Sequence, residues 1–214
     1  GQAIQALSDA TLTIAKSEFV SFVAHELKNP LTSLRSAVET LPMVKNDDSR
    51  KRLLAVIEHD RGSLTSASLG VLTAGRALAK QMGTQLEAVT IGANADALSA
   101  VAAAHGASVT HQVHHAALVD FGPEAWGESL AQVIRSTNPQ VVIGTGTERG
   151  HEIVAPAAAR LDLPAAMNCT AFDENFTGAG ALNVLRTRWG GSLMERAAVD
   201  APVKLVTLAN HVVE

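Results

Sequence analysis

A chain of 214 residues, 47% of them apolar, is long enough to bury one ordinary core and carry an appendage. A net charge of −4 with no long basic stretch argues against a nucleic-acid arm, and no apolar run approaches the roughly 18 to 20 residues of a membrane span. The single cysteine, Cys169, excludes a disulfide framework and fits a reducing cytoplasm, while 3% aromatic content leaves alanine, valine and leucine to fill the core.

The pattern of residues 11–44 predicts one long amphipathic helix. Phe19, Phe22, Val23, Leu27, Leu31, Leu34, Val38 and Leu41 recur at steps of three and four and share one stripe. Pro30 removes a backbone donor and bends the helix near Glu26 and Leu27, and Pro42 with the polar run 45–49 ends it. The apolar stripe calls for a partner helix, in this chain or in a second copy.

Beyond residue 53 short apolar strands alternate with amphipathic helices. Strands are expected at Leu53–Glu58, Leu86–Ile91, Val109–Val113, Gln140–Ile143 and Lys204–Leu208. Helices are expected at Ser66–Met82, with Ser66 or Thr65 as cap and Gly83 as stop, and at Asp96–His105, Glu124–Ser136 and His151–Leu161. Asn183–Arg188, the turn Gly190-Gly191 and Leu193–Val199 form a hairpin. Strand–helix alternation with short connections implies an α/β fold: a parallel sheet covered on both faces.

Three groups of residues carry candidate chemistry. The segment Gly144-Thr145-Gly146-Thr147-Glu148-Arg149-Gly150 follows a strand and opens a helix. Its amides and the helix dipole suit an anion, with Arg149 as countercharge; alternatively, its glycines supply the positive φ of a structural turn. His111, His114 and His115 stand on or beside a short strand, where neighbours point to opposite faces, so a strand end is favoured over a metal site. Cys169 has no second thiol and is expected to pack near Met167.

Two family resemblances appear in this chain. The string Phe22-Val23-Ala24-His25-Glu26-Leu27-Lys28-Asn29-Pro30-Leu31-Thr32-Ser33-Leu34 resembles the phosphoacceptor box of sensor histidine kinases. The resemblance implies a nucleophilic imidazole at His25, a tautomer held by Glu26 and a water oriented by Asn29. The ATP-binding boxes of that family do not follow in order.

The second resemblance rests on Glu58-His59-Asp60-Arg61-Gly62-Ser63-Leu64, Leu69 through Leu78, Val142 through Gly150, Ala155 through Leu161 and Val184 through Gly191. In order and spacing these resemble the N-terminal domain of an electron-transfer flavoprotein alpha subunit, whose beta subunit shares the fold. The resemblance implies an adenine nucleotide alpha hydrolase-like α/β domain and a beta-like partner subunit. It also implies FAD held by a C-terminal domain expected to be missing after Glu214. The chain begins at Gly1 without a methionine, which points to a fragment.

The expected organisation is therefore a phosphoacceptor-like helical segment at 1–52 and a flavoprotein-like domain at 53–214, with 53–60 as the contested join. That stretch continues the kinase helix or forms the first strand of the sheet. Strand is expected, because Val56-Ile57 is the only apolar run available for the central strand, and burying each side chain is worth about 1.5 to 3 kcal/mol. The expected function is an electron-transfer module that binds a partner subunit, with no enzyme activity and no bound flavin of its own. The alternatives are a signalling fragment phosphorylated on His25 or an inactive fusion.

Phosphoryl transfer depends on positioning the donor, and no ATP-holding boxes accompany His25. Incubated with labelled ATP alone, the chain is expected to stay unlabelled. Strong acid-labile label that disappears in His25→Gln would overturn this and favour the signalling reading.

Overall fold

The computed structural model describes residues 52–60, 62–92, 97–210 and 212. The expected helix 11–44, its apolar stripe, and His25, Glu26 and Asn29 lie outside the described residues.

The contested join is a strand. β1 (Arg52–Val56) pairs in parallel on both sides, and Leu53 through Ile57 are at most 3% exposed. Its side chains alternate between two covered faces, which explains an unbroken apolar run rather than an apolar–polar alternation. A small hairpin, β2 (His59–Asp60) and β3 (Ser63–Leu64), leads into α1 (Ser66–Gln81). The Thr65 hydroxyl caps α1 by accepting from the Ser68 amide at 3.2 Å, and Gly83, at φ +63°, turns the chain out of it. Gly75 lets α1 lie close on the sheet: a Cβ there would meet Leu86 at 3.0 Å and Leu53 at 3.4 Å.

β4 (Gln85–Ile91) lies beside β1, followed by α2 (Leu98–Ala104) and β5 (Val109–Val113). α3 (Pro123–Thr137) starts with proline in its first turn and ends at Asn138 in the left-handed region. β6 (Val141–Thr145) then returns to the far side of β1, and α4 (Glu148–Leu161) follows it. The last third holds β7 (Ala165–Phe172), β8 (Leu182–Arg188), β9 (Leu193–Val199) and β10 (Lys204–Leu208).

The order in the eight-stranded sheet is β5-β4-β1-β6-β10-β7-β8-β9. The pairs from β5 to β7 are parallel; β7–β8 and β8–β9 are antiparallel. The sheet is therefore mixed and mostly parallel. The expected hairpin is present as β8–β9, attached through β7, which the sequence pattern did not disclose. α1 covers β1, β4 and β6 on one face, while α3 and α4 pack together, with α4 against β6, β10 and β7. Observed helix ends match the expected ones within a few residues except at α4, which starts at Glu148 instead of His151.

Leu54 is fully buried in β1. Leu54→Ala is expected to cost about 2 to 5 kcal/mol in urea unfolding, whereas Leu193→Ala at the exposed hairpin should stay within about 0.5 kcal/mol of the parent. Equal, small losses at both positions would argue against β1 as the central strand.

Candidate functional site

Chain direction selects one end of the sheet. From β1 the connections run outward through β4 to β5, and β6 then resumes on the opposite side of β1. In open α/β sheets such a reversal leaves a crevice beyond the carboxyl ends of the two strands, where ligands bind. Residues just after β1 and β6 line that crevice here.

Glu58 lies two residues beyond β1 and is 4% exposed. A buried carboxylate needs hydrogen-bond donors. Its Oε1 accepts from the hydroxyls of Thr145, the last residue of β6, and Thr147, the cap of α4. The backbone at Glu58 is also held. Its amide donates to the Ser68 hydroxyl at 2.7 Å, and that hydroxyl donates back to the Glu58 carbonyl at 2.8 Å. One turn of α1 thus fixes where the β1 exit points.

The six residues foreseen as cofactor-binding gather at this crevice in a form different from a glycine turn. Gly144 and Thr145 end β6, Gly146 links, Thr147 caps α4 by accepting from the Gly150 amide at 2.9 Å, and Arg149 and Gly150 lie in the first helical turn. None of the three glycines has positive φ. They serve close approach instead. A Cβ at Gly144 would meet Val154 at 2.7 Å, one at Gly146 would strike the Leu208 carbonyl, and one at Gly150 would strike Thr145 and come within 2.9 Å of Glu58 Oε1. Arg149 is engaged by residues after β1 and before α3. Its guanidinium lies 5.0 Å over the Phe121 ring and donates to the His59 carbonyl at 3.3 Å.

A second polar chain borders the first. His151 Nε2 is 3.1 Å from the Thr207 hydroxyl, which accepts from the Asn168 amide at 2.9 Å. Burial pushes the His151 pKa below its ordinary 6.5; the Asn168 hydrogen bond and the Glu58 charge pull it back up by less. A cleft of about 250 Å³ opens between the starts of α1 and α4, lined by Thr65, Ser66, Thr147, Leu208 and Asn210 among others. A wider one, about 650 Å³, lies over Gly146, Asn168, Arg186, Arg188 and Trp189.

The remaining candidates go elsewhere. His111 Nε2 pairs with Glu87 at 2.7 Å, and His115 Nδ1 accepts from the Ala117 amide at 3.0 Å. Among the described residues no group of three or more histidine, cysteine or acidic side chains is arranged to hold a metal. Cys169 is fully buried, with its thiol pKa pushed up to about 12 by that burial, and is chemically quiet. Sequence pattern alone singled out neither Glu58 nor Ser68 as a site residue. Thr147 as the cap of α4 was missed as well, because the helix was expected to start at His151; a threonine before Glu148 is the signal that could have found it.

Two family profiles match this chain. The profile of the electron transfer flavoprotein domain covers residues 53–214, and that of the His Kinase A (phospho-acceptor) domain covers residues 15–65. Protein FixB of Azorhizobium caulinodans is 29% identical over 147 residues, 67% of this chain and 39% of that protein. Electron transfer flavoprotein subunit alpha of Thermoanaerobacterium thermosaccharolyticum is 28% identical over 149 residues, 69% of this chain and 43% of that protein. Sensor protein ChvG of Rhizobium meliloti is 65% identical over 46 residues, 22% of this chain and 8% of that protein. The chain thus spans about two-fifths of the flavoprotein relatives it matches.

A histidine whose folded pKa is lowered holds fewer protons folded than unfolded, so its contribution to stability is present above pH 6.5 and lost as pH falls through the lowered value. His151→Gln should therefore show a shallower loss of urea midpoint between about pH 7 and pH 5 than the parent chain. Parallel midpoint curves for the two would count against a neutral, half-buried His151.

Proposed function

The chain belongs to the electron transfer flavoprotein domain family, and from that membership we propose that residues 53–214 are the sheet domain of an alpha-type subunit. In this reading the domain binds a beta-type subunit and supports electron transfer through FAD held outside this chain. The observation that carries it is a family match running the length of the mixed sheet, from β1 through β10. Alpha type is preferred because relatives named FixB and subunit alpha align over two-thirds of the chain. We place the module in the cytoplasm on its lone thiol; among the described residues no helix is long and apolar enough to cross a membrane. By itself the chain is proposed to have no enzyme activity. Whether the Gly144–Gly150 segment takes a nucleotide turns on Glu58.

A second reading is favoured by one specific observation, the 46-residue stretch 65% identical to a sensor protein. We propose residues 1–52 as a phosphoacceptor-like segment, with His25 as acceptor supported by Glu26 and Asn29, joined near 52/53 to the flavoprotein domain. Its apolar stripe, Phe19, Phe22, Leu27, Leu31 and Leu34, is the proposed surface for self-association. Both profiles claim residues 53–65. There the fold is strand and hairpin.

Mixed with the beta subunit of an electron transfer flavoprotein, the chain is expected to elute as a one-to-one complex by size exclusion with light scattering. Purified alone it should show no flavin absorbance. Failure to form a complex across micromolar concentrations would sink the partner assignment, and a yellow preparation with stoichiometric FAD would sink the flavin assignment.

A further inference from the structure

We infer that Glu58 is the crevice's own anion: its carboxylate holds the place at the start of α4 that a phosphate monoester would take, and so keeps this domain from binding one. The inference stands on the crevice geometry and is independent of the electron-transfer reading.

Three features make the beginning of α4 suited to negative charge. It lies at the strand reversal between β1 and β6. Its dipole and first-turn amides favour an anion, the Gly150 amide being already taken by the Thr147 hydroxyl. Gly146 and Gly150 bring the backbone closer to its surroundings than any side-chain-bearing residue allows. Glu58 meets that demand from within. Its carboxylate oxygen takes both threonine hydroxyls, Thr145 and Thr147, and lies so near the first helical turn that a methyl on Gly150 would stand 2.9 Å from it.

Nor is Glu58 free to leave. The Ser68 hydroxyl grips its amide and its carbonyl at 2.7 and 2.8 Å, and the Thr65 amide donates to the same carbonyl at 3.3 Å. Arg149, in the first turn of α4, is engaged over Phe121 and with the His59 carbonyl. His151, the other basic group at the helix start, has its pKa lowered by burial. An incoming phosphate would therefore compete for two hydroxyls already engaged and meet a like charge. Like charge beside a site disfavours a second anion, and the hydroxyls cannot serve both.

The specificity step is thus one residue deep. Replacing Glu58 by alanine leaves the two hydroxyls, the α4 amides and an emptied volume; glutamine keeps the shape and removes only the charge. The test uses the full chain with inorganic phosphate and AMP as separate probes, read by thermal shift and calorimetry. Expected are no saturable binding to the parent and binding at least about tenfold tighter in Glu58→Ala, with Glu58→Gln in between. Equal gains for both probes mark a site for the phosphate group alone, and a larger gain for AMP marks room for the nucleoside as well; either supports the inference. Saturable binding of either probe to the parent, as tight as to the variants, overturns it. So does a folded Glu58→Ala, with circular dichroism matching the parent, that binds neither. Should the alanine variant fail to fold, Glu58→Gln decides: folded and still blind to both probes, it overturns the inference. The parent's own melting temperature is an independent readout, because any phosphate-dependent rise with the midpoint saturating contradicts a filled site.

Discussion

The buried carboxylate of Glu58 is the constraint around which one end of this sheet is arranged. Leaving a charge in an apolar interior is costly unless donors surround it. Here the donors come from two elements distant in sequence, Thr145 at the end of β6 and Thr147 at the start of α4. Ser68 on α1 secures the backbone beneath it. One residue, through its carboxylate and its backbone, therefore ties β1, α1, β6 and α4 at a single point. Polar networks of this kind strengthen one another where the dielectric is low, and each unpaired member would be expensive. The crevice depends on that joint for its shape and for its sign.

Close approach is the second organising demand, and glycine answers it in an unexpected sense. Gly144, Gly146 and Gly150 have no positive φ. Each is needed because a neighbour occupies the space of a side chain: Val154 beside Gly144, the Leu208 carbonyl beside Gly146, Thr145 beside Gly150. The result draws β6, β10 and α4 together so tightly that the helix start opens directly onto the strand ends. Elsewhere glycines such as Gly83 do take positive φ, and so do some residues with side chains. Asn168 at φ +59° carries its amide to Thr207 within β7. Trp189 at φ +54°, 80% exposed, tops the β8–β9 hairpin. A bulky residue in that region is held there at a cost.

The sheet's mixed character follows from where the last strand goes. β10 enters in parallel between β6 and β7, so the final apolar run, Lys204–Leu208, sits inside the sheet and is buried along its length. β7 then carries the antiparallel pair β8–β9 outward. The sequence pattern missed β7 for a physical reason. Ala165–Phe172 is rich in small and polar residues, its ladder to β8 is irregular between Cys169 and Ala171, and Asn168 breaks its backbone conformation. Without a steady period of two, such a strand has no local signature.

Local pattern alone settled much of this protein. Apolar runs bounded by caps and glycines located α1, β4, β5, α3, β6, the β8–β9 hairpin and β10, because a residue's periodicity and its turn chemistry are properties of its near neighbours. The segment 144–150 was legible as the place where a strand hands over to a helix. Only the tertiary structure decided three things. It placed β10 between β6 and β7, since strand order depends on pairing between distant segments. It set β4 and β6 on either side of the expected strand at 52–56, since Leu53 through Ile57 gain burial against partners that no local window contains. And it brought Glu58 to Thr145 and Thr147, 87 and 89 residues away in sequence, since a buried charge finds its donors in space and leaves no mark of that in the order of the chain.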